Sequence, residues 1–164
     1  MLSDKSRVFK TCEEISIALK NFQEKTDSQV EKDAISYVGL NRESFMFLAD
    51  LSRLSLSKTT VDMLFIDEAS LEVLKDAKST FYGREVFVLT GRTPSSELKA
   101  KIISLFEEKK AKNVKILSIV ASTPSTPEDQ VQSLFVCEES EKLTGFGLEI
   151  KNKGGNEPNI CYRG

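Results

Sequence analysis

The feature that most constrains the fold is an alternation of short apolar runs, rich in β-branched residues, with longer segments of helical periodicity. Five such runs lie at residues 7–10, 34–40, 61–66, 84–89 and 114–120. Each is followed by apolar residues that recur at helical spacing. Strands that are separated by helices pair in parallel through right-handed crossovers. The sequence therefore predicts an α/β fold with five parallel strands and helices on both faces of the sheet.

The predicted architecture is a flavodoxin-like doubly wound sheet with strand order 2-1-3-4-5. Thr11 stands three residues before Glu14, the spacing of a capping box at the start of the first helix. Further helices are predicted for residues 45–54, with Asn41 as the cap, and for residues 71–77 and 95–106. A last short helix is predicted to begin at Pro127 and to carry the apolar residues Val131, Leu134 and Phe135.

The end of the chain has a different composition. Residues 153–158 are rich in glycine and asparagine, which is typical of a hairpin connection between two strands. We therefore predict an α/β domain over residues 1–135 and a C-terminal β-hairpin extension over residues 136–164. This extension is either an appendage or the beginning of a further domain.

Composition excludes several kinds of site. The chain has no histidine, which removes the commonest general base and every Ser-His or Cys-His nucleophile. Its three cysteines are widely spaced, so no metal or redox motif is predicted. The net charge of −2 argues against nucleic-acid binding. No apolar run reaches the length of a membrane span, and we expect a cytoplasmic protein with no membrane insertion and no cofactor.

Two segments, Val61–Asp67 and Val86–Gly91, resemble the response-regulator receiver domain of the chemotaxis type. The resemblance implies that Asp67 occupies the phosphoacceptor position and Thr90 the switch position. Glu13, Glu14 and Glu68 are the candidate acidic neighbours of Asp67. The receiver pattern also needs an acid pair directly after the first strand and a lysine after the fifth strand, near Ala121. Both are absent, so the resemblance implies a degenerate pseudo-receiver without a metal site.

The function predicted from this resemblance is a non-catalytic regulatory module. Such a module would take part in two-component signal transduction through its surface, by binding a protein partner or by forming a homodimer. It would have no catalytic residue and would not be an enzyme.

Two alternatives remain open at this point. Residues 80–164 resemble a BRCT interaction module, because Tyr82–Gly91 followed by a helix is similar to the opening of that family. A flavodoxin-like domain that binds a small ligand is the other alternative. The segment Thr93–Ser96 at the start of a predicted helix fits either a helix cap or a phosphate site.

Overall fold

The computed structural model describes residues 7–29, 34–54, 59–126, 129–149 and 157–162. Its helices and strands, in chain order, are β1 Val8–Lys10, α1 Cys12–Gln29, β2 Ile35–Leu40, α2 Phe45–Leu54, β3 Thr60–Ile66, β4 Val73–Lys75, β5 Glu85–Arg92, α3 Ser96–Glu108, β6 Asn113–Ala121, β7 Val131–Val136, β8 Leu143–Thr144 and β9 Ile160–Tyr162. Short 3₁₀ turns lie at Arg42–Ser44 and Ser140–Lys142. Within the described ranges, no helix is long and apolar enough to cross a lipid bilayer.

The larger sheet has six strands in the order β4-β3-β2-β5-β6-β7. Its five neighbouring strands from β3 to β7 pair in parallel, whereas β4 pairs with β3 in the antiparallel direction. The chain runs from β2 to β3 on one side and then crosses back to place β5 on the other side of β2. This reversal is a topological switch point, where the loops after two adjacent strands diverge and leave a crevice.

Both faces of the larger sheet are covered, and the side chains of its strands alternate between them. Tyr37 of β2 and Leu89 of β5 belong to one buried cluster, to which helices α1 and α2 contribute Leu19 and Phe47. Val38 and Val88 face the opposite cluster, which contains Leu98, Ile102 and Phe106 of α3. Burying one such side chain stabilises a fold by roughly 1.5–3 kcal/mol. Because both faces of the central strands are buried in this way, these strands are apolar along their length.

The smaller sheet has three strands in the order β1-β9-β8, all antiparallel. Phe9 of β1 makes edge-to-face contacts with Phe135 and Tyr162, at ring-centroid distances of 6.3 and 5.6 Å. Residues Leu143 and Ile160 of this sheet are fully buried in the same cluster as α1 and α2. The smaller sheet thus packs on the α1 side of the larger sheet. The division of the chain at residue 135 stays a prediction.

The predicted five-stranded flavodoxin-like sheet is wrong. Its first strand, residues 7–10, belongs to the smaller sheet, and the segment Val131–Val136 forms strand β7 beside β6. The apolar residues of that segment fit helical spacing, but Val131, Phe135 and Val136 are β-branched or aromatic, and the segment completes the open edge of β6. The predicted helix start at Pro127 lies outside the described residues.

The helix predicted for residues 71–77 is also wrong. Val73–Lys75 is strand β4, which returns antiparallel to β3 through a tight turn. The Asp67 carboxylate accepts hydrogen bonds from the backbone N–H groups of Ala69 and Ser70, at 3.0 and 2.8 Å, and these bonds hold the turn. Leu71 completes it with a positive φ of 61°.

Other local predictions are confirmed. Helix α2 spans Phe45–Leu54, and α3 begins where the sequence placed it. The predicted capping box is present, because the Glu14 backbone N–H donates to Thr11 Oγ1 at 3.2 Å and the Thr11 N–H donates to the Glu14 carboxylate at 3.4 Å. Of the predicted hairpin connection, residues 153–158, the part from 153 to 156 lies outside the described residues.

Candidate crevice site at the carboxyl edge of the sheet

The crevice at the switch point is formed by the loops that follow β2 and β5. The larger cavity, of about 410 Å³, opens there, and a smaller one of about 260 Å³ lies on the other side of the loop after β5, toward the loop after β6. Thr93 and Pro94 line both cavities, so the loop after β5 separates them. Ligands in open α/β sheets bind at this edge, which makes the two cavities the candidate site.

Asn41 begins the loop after β2 in an uncommon backbone conformation. Its φ is 56° and its ψ −177°, a region that is almost restricted to glycine and costs of order 1–3 kcal/mol. Its side chain holds it there, since the amide donates to Ile66 O and accepts from the Ile66 N–H, both at 3.0 Å. Backbone strain of this kind is concentrated at ligand sites, and Asn41 lines the larger cavity.

The loop after β5 leads directly into helix α3. Ser95 is the N-cap, and its hydroxyl accepts a hydrogen bond from the Leu98 N–H at 3.2 Å. Ser96, Lys99 and Thr93 line the smaller cavity from this side. Ser125 and Thr123 line it from the loop after β6. A helix N-terminus, several hydroxyls and one ammonium group therefore face a common space, and this combination suits a phosphate group. The Asp129 carboxylate lines the same space, where it accepts a hydrogen bond from the Thr126 N–H at 2.7 Å.

Thr90 is an unusual residue at the end of β5. It is 3% exposed, and its Oγ1 is buried without a hydrogen-bond partner in the described structure. The residue also lines the larger cavity. A buried hydroxyl without a partner costs about 1–3 kcal/mol. We therefore expect Thr90 Oγ1 to bond to a group that enters the cavity.

Glu43 and Arg92 line the larger cavity as an ion pair. Arg92 Nη1 lies 2.7 Å from Glu43 Oε1, and the two side chains are 24% and 30% exposed. Burial raises the pKa of Glu43, although the guanidinium of Arg92 opposes this shift. Glu68 lies close enough to Glu43 to add a repulsive contribution in the same direction as burial.

Two carboxylates, those of Glu43 and Glu68, line the larger cavity, where a divalent ion could bind. Such an ion is bound by one or more free carboxylates, often together with substrate phosphates. Glu43 already accepts hydrogen bonds from Arg92 and from the Glu149 N–H. No group of three or more His, Cys, Asp and Glu side chains that could hold a metal exists within the described ranges. Glu68 is exposed and lines the larger cavity, so it is the carboxylate there that could hold such an ion together with substrate phosphates.

The structure brings only part of the sequence-predicted site together. Thr90 and Glu68 both line the larger cavity. Asp67 follows β3 at the same edge but lines neither cavity, and it is engaged in the turn described above. Hydrogen bonds from Ser70 hold the pKa of Asp67 below its usual range. The phosphoacceptor and switch roles rested on the receiver resemblance, and these contacts lend them no support.

Glu13 and Glu14 lie in another part of the fold. They occupy the first turn of α1, next to the smaller sheet rather than at an end of β3. The backbone N–H of Glu13 itself lowers the pKa of that carboxyl, and the backbone of Thr11 lowers that of Glu14. Both residues therefore act at the start of a helix.

Sequence reasoning missed three residues of the crevice. Asn41 was recognised only as a helix cap, and Glu43 and Arg92 were not singled out. Arg92 follows a glycine at the end of a strand, and that glycine is the one available signal. A Cβ at Gly91 would lie 2.4 Å from the Glu43 carboxylate, so the carboxylate needs the glycine beneath it.

Comparison with known proteins identifies the fold. The chain is 24% identical to the hypoxanthine-guanine phosphoribosyltransferase of Bacillus subtilis, over 98% of this chain and 94% of that protein. The solved hypoxanthine phosphoribosyltransferase of Staphylococcus aureus superposes with a TM-score of 0.84 at 19% identity, covering 100% of this chain and 98% of that one. No family model matches the sequence.

A hypoxanthine-guanine phosphoribosyltransferase from Bacillus anthracis gives a TM-score of 0.85 at 21% identity, with 99% of both chains covered. The chain has the fold of these phosphoribosyltransferases. The resemblance to a receiver domain is therefore wrong, and so are the BRCT and flavodoxin-like alternatives.

The predicted function is corrected by the same finding. The proteins that the chain matches over nearly their full length are named as enzymes, whereas the sequence predicted a non-catalytic signalling module. The lack of histidine was given too much weight. It excludes nucleophile–base systems, but group transfer depends mainly on positioning and on charge stabilisation, which hydroxyls, amides and cations supply.

Proposed function

We propose that the chain is a phosphoribosyltransferase that joins a ribose 5-phosphate unit to a purine base. The observation that carries the proposal is the phosphate-compatible loop at the start of α3, which lies at the switch point of a fold shared with enzymes of that name. The nearly complete coverage of both chains supports it further, because the likeness extends over the whole chain rather than over the sheet alone.

The smaller cavity suits the 5-phosphate. The 13 residues of α3 are long enough to build a positive partial charge at its first turn. Ser96 and Lys99, which line the cavity, add a hydroxyl donor and a full positive charge. A phosphate bound here would satisfy the first N–H groups of the helix, which have no partner within the helix itself.

The larger cavity, of about 410 Å³, leaves room for the rest of an activated sugar. In the proposed reaction, a ring nitrogen of the purine forms a bond to C1 of ribose while the bond from C1 to a diphosphate oxygen breaks. Diphosphate leaves with the electron pair, and the proton of the purine N–H goes to solvent. The chain contributes by holding base and sugar in line and by screening the phosphates.

This reaction needs no protein nucleophile, so it agrees with the composition of the chain. Holding two reactants in a reactive geometry removes as much as about 7–11 kcal/mol from a barrier. The strained Asn41 loop and the capped start of α3 are two rigid walls of the kind that this positioning needs.

The direct test is formation of inosine 5′-monophosphate from hypoxanthine and 5-phosphoribosyl 1-diphosphate, followed by chromatography. Lys99→Met should raise the KM for the sugar phosphate about tenfold, the effect of losing a charge-assisted contact worth roughly 1.4 kcal/mol. Lys101→Met, on the same helix but lining neither cavity, is the matched control and should leave KM unchanged. Equal effects of the two variants would show that the phosphate does not bind in the smaller cavity. Absence of product with both hypoxanthine and guanine would refute the proposed activity.

We further propose a cytoplasmic location. The described cysteines form no disulfide, and reduced thiols are usual in that compartment. A protein partner or a second copy of the chain stays a prediction.

A further inference from the structure

Arg92 makes hydrogen bonds to other parts of the molecule besides its partner Glu43. Besides that ion pair, its guanidinium donates to three backbone carbonyls: Ser140 at 3.2 Å, Leu143 at 2.5 Å and Glu149 at 3.2 Å. All three belong to the segment of residues 140–149, which we call the cap segment. One side chain at the end of a central strand therefore holds a segment about fifty residues further along the chain.

Glu43 holds the same segment from the other wall of the crevice. Its Oε1 accepts from the Glu149 N–H at 3.3 Å as well as from Arg92. Its backbone carbonyl lies so close to Gly147 that a Cβ there would be 2.2 Å away. Arg42, the preceding residue, adds an exposed ion pair with Glu149 at 3.6 Å.

The cap segment needs such support because its own backbone is unfavourable. Gly145, Phe146 and Gly147 have consecutive positive φ values of 97°, 51° and 93°. Phe146 pays a steric cost in that region, since left-handed backbone is disfavoured for residues with a side chain. The turn is closed by the paired hydrogen bonds between Gly145 and Leu148, both 3.0 Å.

We propose that Glu43 and Arg92 are positioning residues that form an internal latch, which sets the width of the larger cavity and fastens the cap segment behind it. Both line the cavity, and one comes from each of the two diverging loops. Their side chains are consumed by contacts within the chain, so they shape the site rather than react. The part of this inference that concerns the width of the cavity rests on the proposed function, whereas the part that concerns the attachment of the cap segment does not.

The first arm of the test is amide hydrogen exchange in the ligand-free protein. Arg92→Met should speed exchange of the amides at residues 145–149 at least tenfold, because the latch no longer opposes local opening. Arg84→Met is the matched control. Arg84 is also a partly buried arginine next to β5, but at the opposite edge of the sheet, where it donates to Ser36 Oγ and Ile35 O. Since Arg84→Met should lower global stability, the comparison uses the cap amides that exchange by local opening rather than by global unfolding, and for these amides Arg84→Met should stay within twofold of the wild-type protein.

A second pair of variants covers the case in which Arg92→Met does not fold. Glu43→Gln keeps an oxygen acceptor for Arg92 and the Glu149 N–H, so cap exchange should stay near the wild-type rate. Glu43→Ala removes that acceptor, and exchange should accelerate as in Arg92→Met. Equal exchange in Glu43→Ala and Glu43→Gln would overturn the latch, as would equal loosening by Arg84→Met and Arg92→Met.

The second arm is the affinity for inosine 5′-monophosphate, measured by calorimetry. Arg92→Met should weaken it about fivefold or more, while Arg84→Met and Glu43→Gln should not. A loosened cap with unchanged affinity would overturn the control of cavity width. If the wild-type protein binds no nucleotide, the proposed function and the part of the inference that concerns the width of the cavity fail together, and the exchange arm still decides whether the cap is fastened by this pair.

Discussion

The two edges of the larger sheet carry similar polar residues but use them differently. At the amino edge, Ser36, Thr60 and Arg84 form a closed set, in which the two hydroxyls lie 2.6 Å apart and Arg84 Nε donates to Ser36 at 2.7 Å. At the carboxyl edge, Thr90 is as deeply buried as Ser36 but its hydroxyl has no partner within the described structure.

Acidic residues show the same contrast. Asp62 at the amino edge accepts four hydrogen bonds, from Met63, Lys78 and the backbone and hydroxyl of Ser79, at 2.7–2.9 Å. Glu68 at the carboxyl edge faces the larger cavity and is exposed.

The difference teaches how to separate structural from functional polar groups. A buried polar side chain whose bonds are complete stabilises the fold and has nothing left for a ligand. One that is buried and incomplete, beside a cavity and a strained residue such as Asn41, has capacity left for another molecule. Within the described structure one other polar atom is buried without a partner, Asp76 Oδ1, but Asp76 is paired with Lys109 through Oδ2 at 2.9 Å and lines neither cavity. An unpaired buried group and a cavity therefore coincide at Thr90, which makes the carboxyl edge the candidate site.

The variant with the largest expected effect tests the amino edge of the sheet. Arg84→Met should lower the free energy of unfolding by about 3 kcal/mol, because the acceptors Ile35 O and Ser36 Oγ lose their charged donor while remaining buried. Equilibrium urea denaturation measures the change. A loss below about 0.5 kcal/mol would mean that the amino edge is not the closed network that its geometry indicates.

The next test measures how the free energy of unfolding changes as the pH is lowered. The hydrogen bonds from Ser79 and its neighbours outweigh burial and lower the pKa of Asp62. A carboxyl with a lowered pKa in the folded protein adds stability above its unfolded pKa of about 3.9 and loses it as the pH falls through the folded value.

Unfolding by urea at several pH values should therefore show that stability decreases below about pH 4. In Asp62→Asn this decrease should be smaller. At pH 7 the same variant should cost about 1–2 kcal/mol, discounted for partial exposure. Asp67→Asn is the control from the other edge. Its pKa is lowered as well, but it lies in an exposed turn, so its effect should be the smaller one. The reverse order would contradict the comparison of the edges.

Sequence reasoning predicted the centre of the molecule and failed at its margins. Strands β2, β5 and β6 are continuous apolar runs buried on both faces, and such runs leave few alternatives. Strands β1, β8 and β9 are only two or three residues long, and β1 pairs with β9 across most of the chain. No local pattern carries that information, so β1 was placed in the wrong sheet.

The site was predicted in part for the same reason. An acid or a threonine at the end of a parallel strand is common to many doubly wound sheets, and Asp67 and Thr90 therefore resembled the receiver pattern without sharing its function. The Glu43–Arg92 pair depends on carbonyls of residues 140–149, which the fold alone brings near. What the sequence did contain was the capped loop at Thr93–Ser96, which fitted a phosphate site from the beginning.

The smallest expected change in stability is also the one that best separates the two edges. Thr90→Val removes a hydroxyl that has no partner, so the free energy of unfolding should stay the same or rise by up to about 1 kcal/mol. Ser36→Ala removes a buried hydroxyl with two bonds and should lower it by about 1–3 kcal/mol. Affinity for inosine 5′-monophosphate should respond in the opposite sense, weakening several-fold in Thr90→Val and staying unchanged in Ser36→Ala. A destabilised Thr90→Val protein with normal affinity would show that this hydroxyl belongs to the fold, and the carboxyl edge would then lose the feature that distinguishes it from the amino edge.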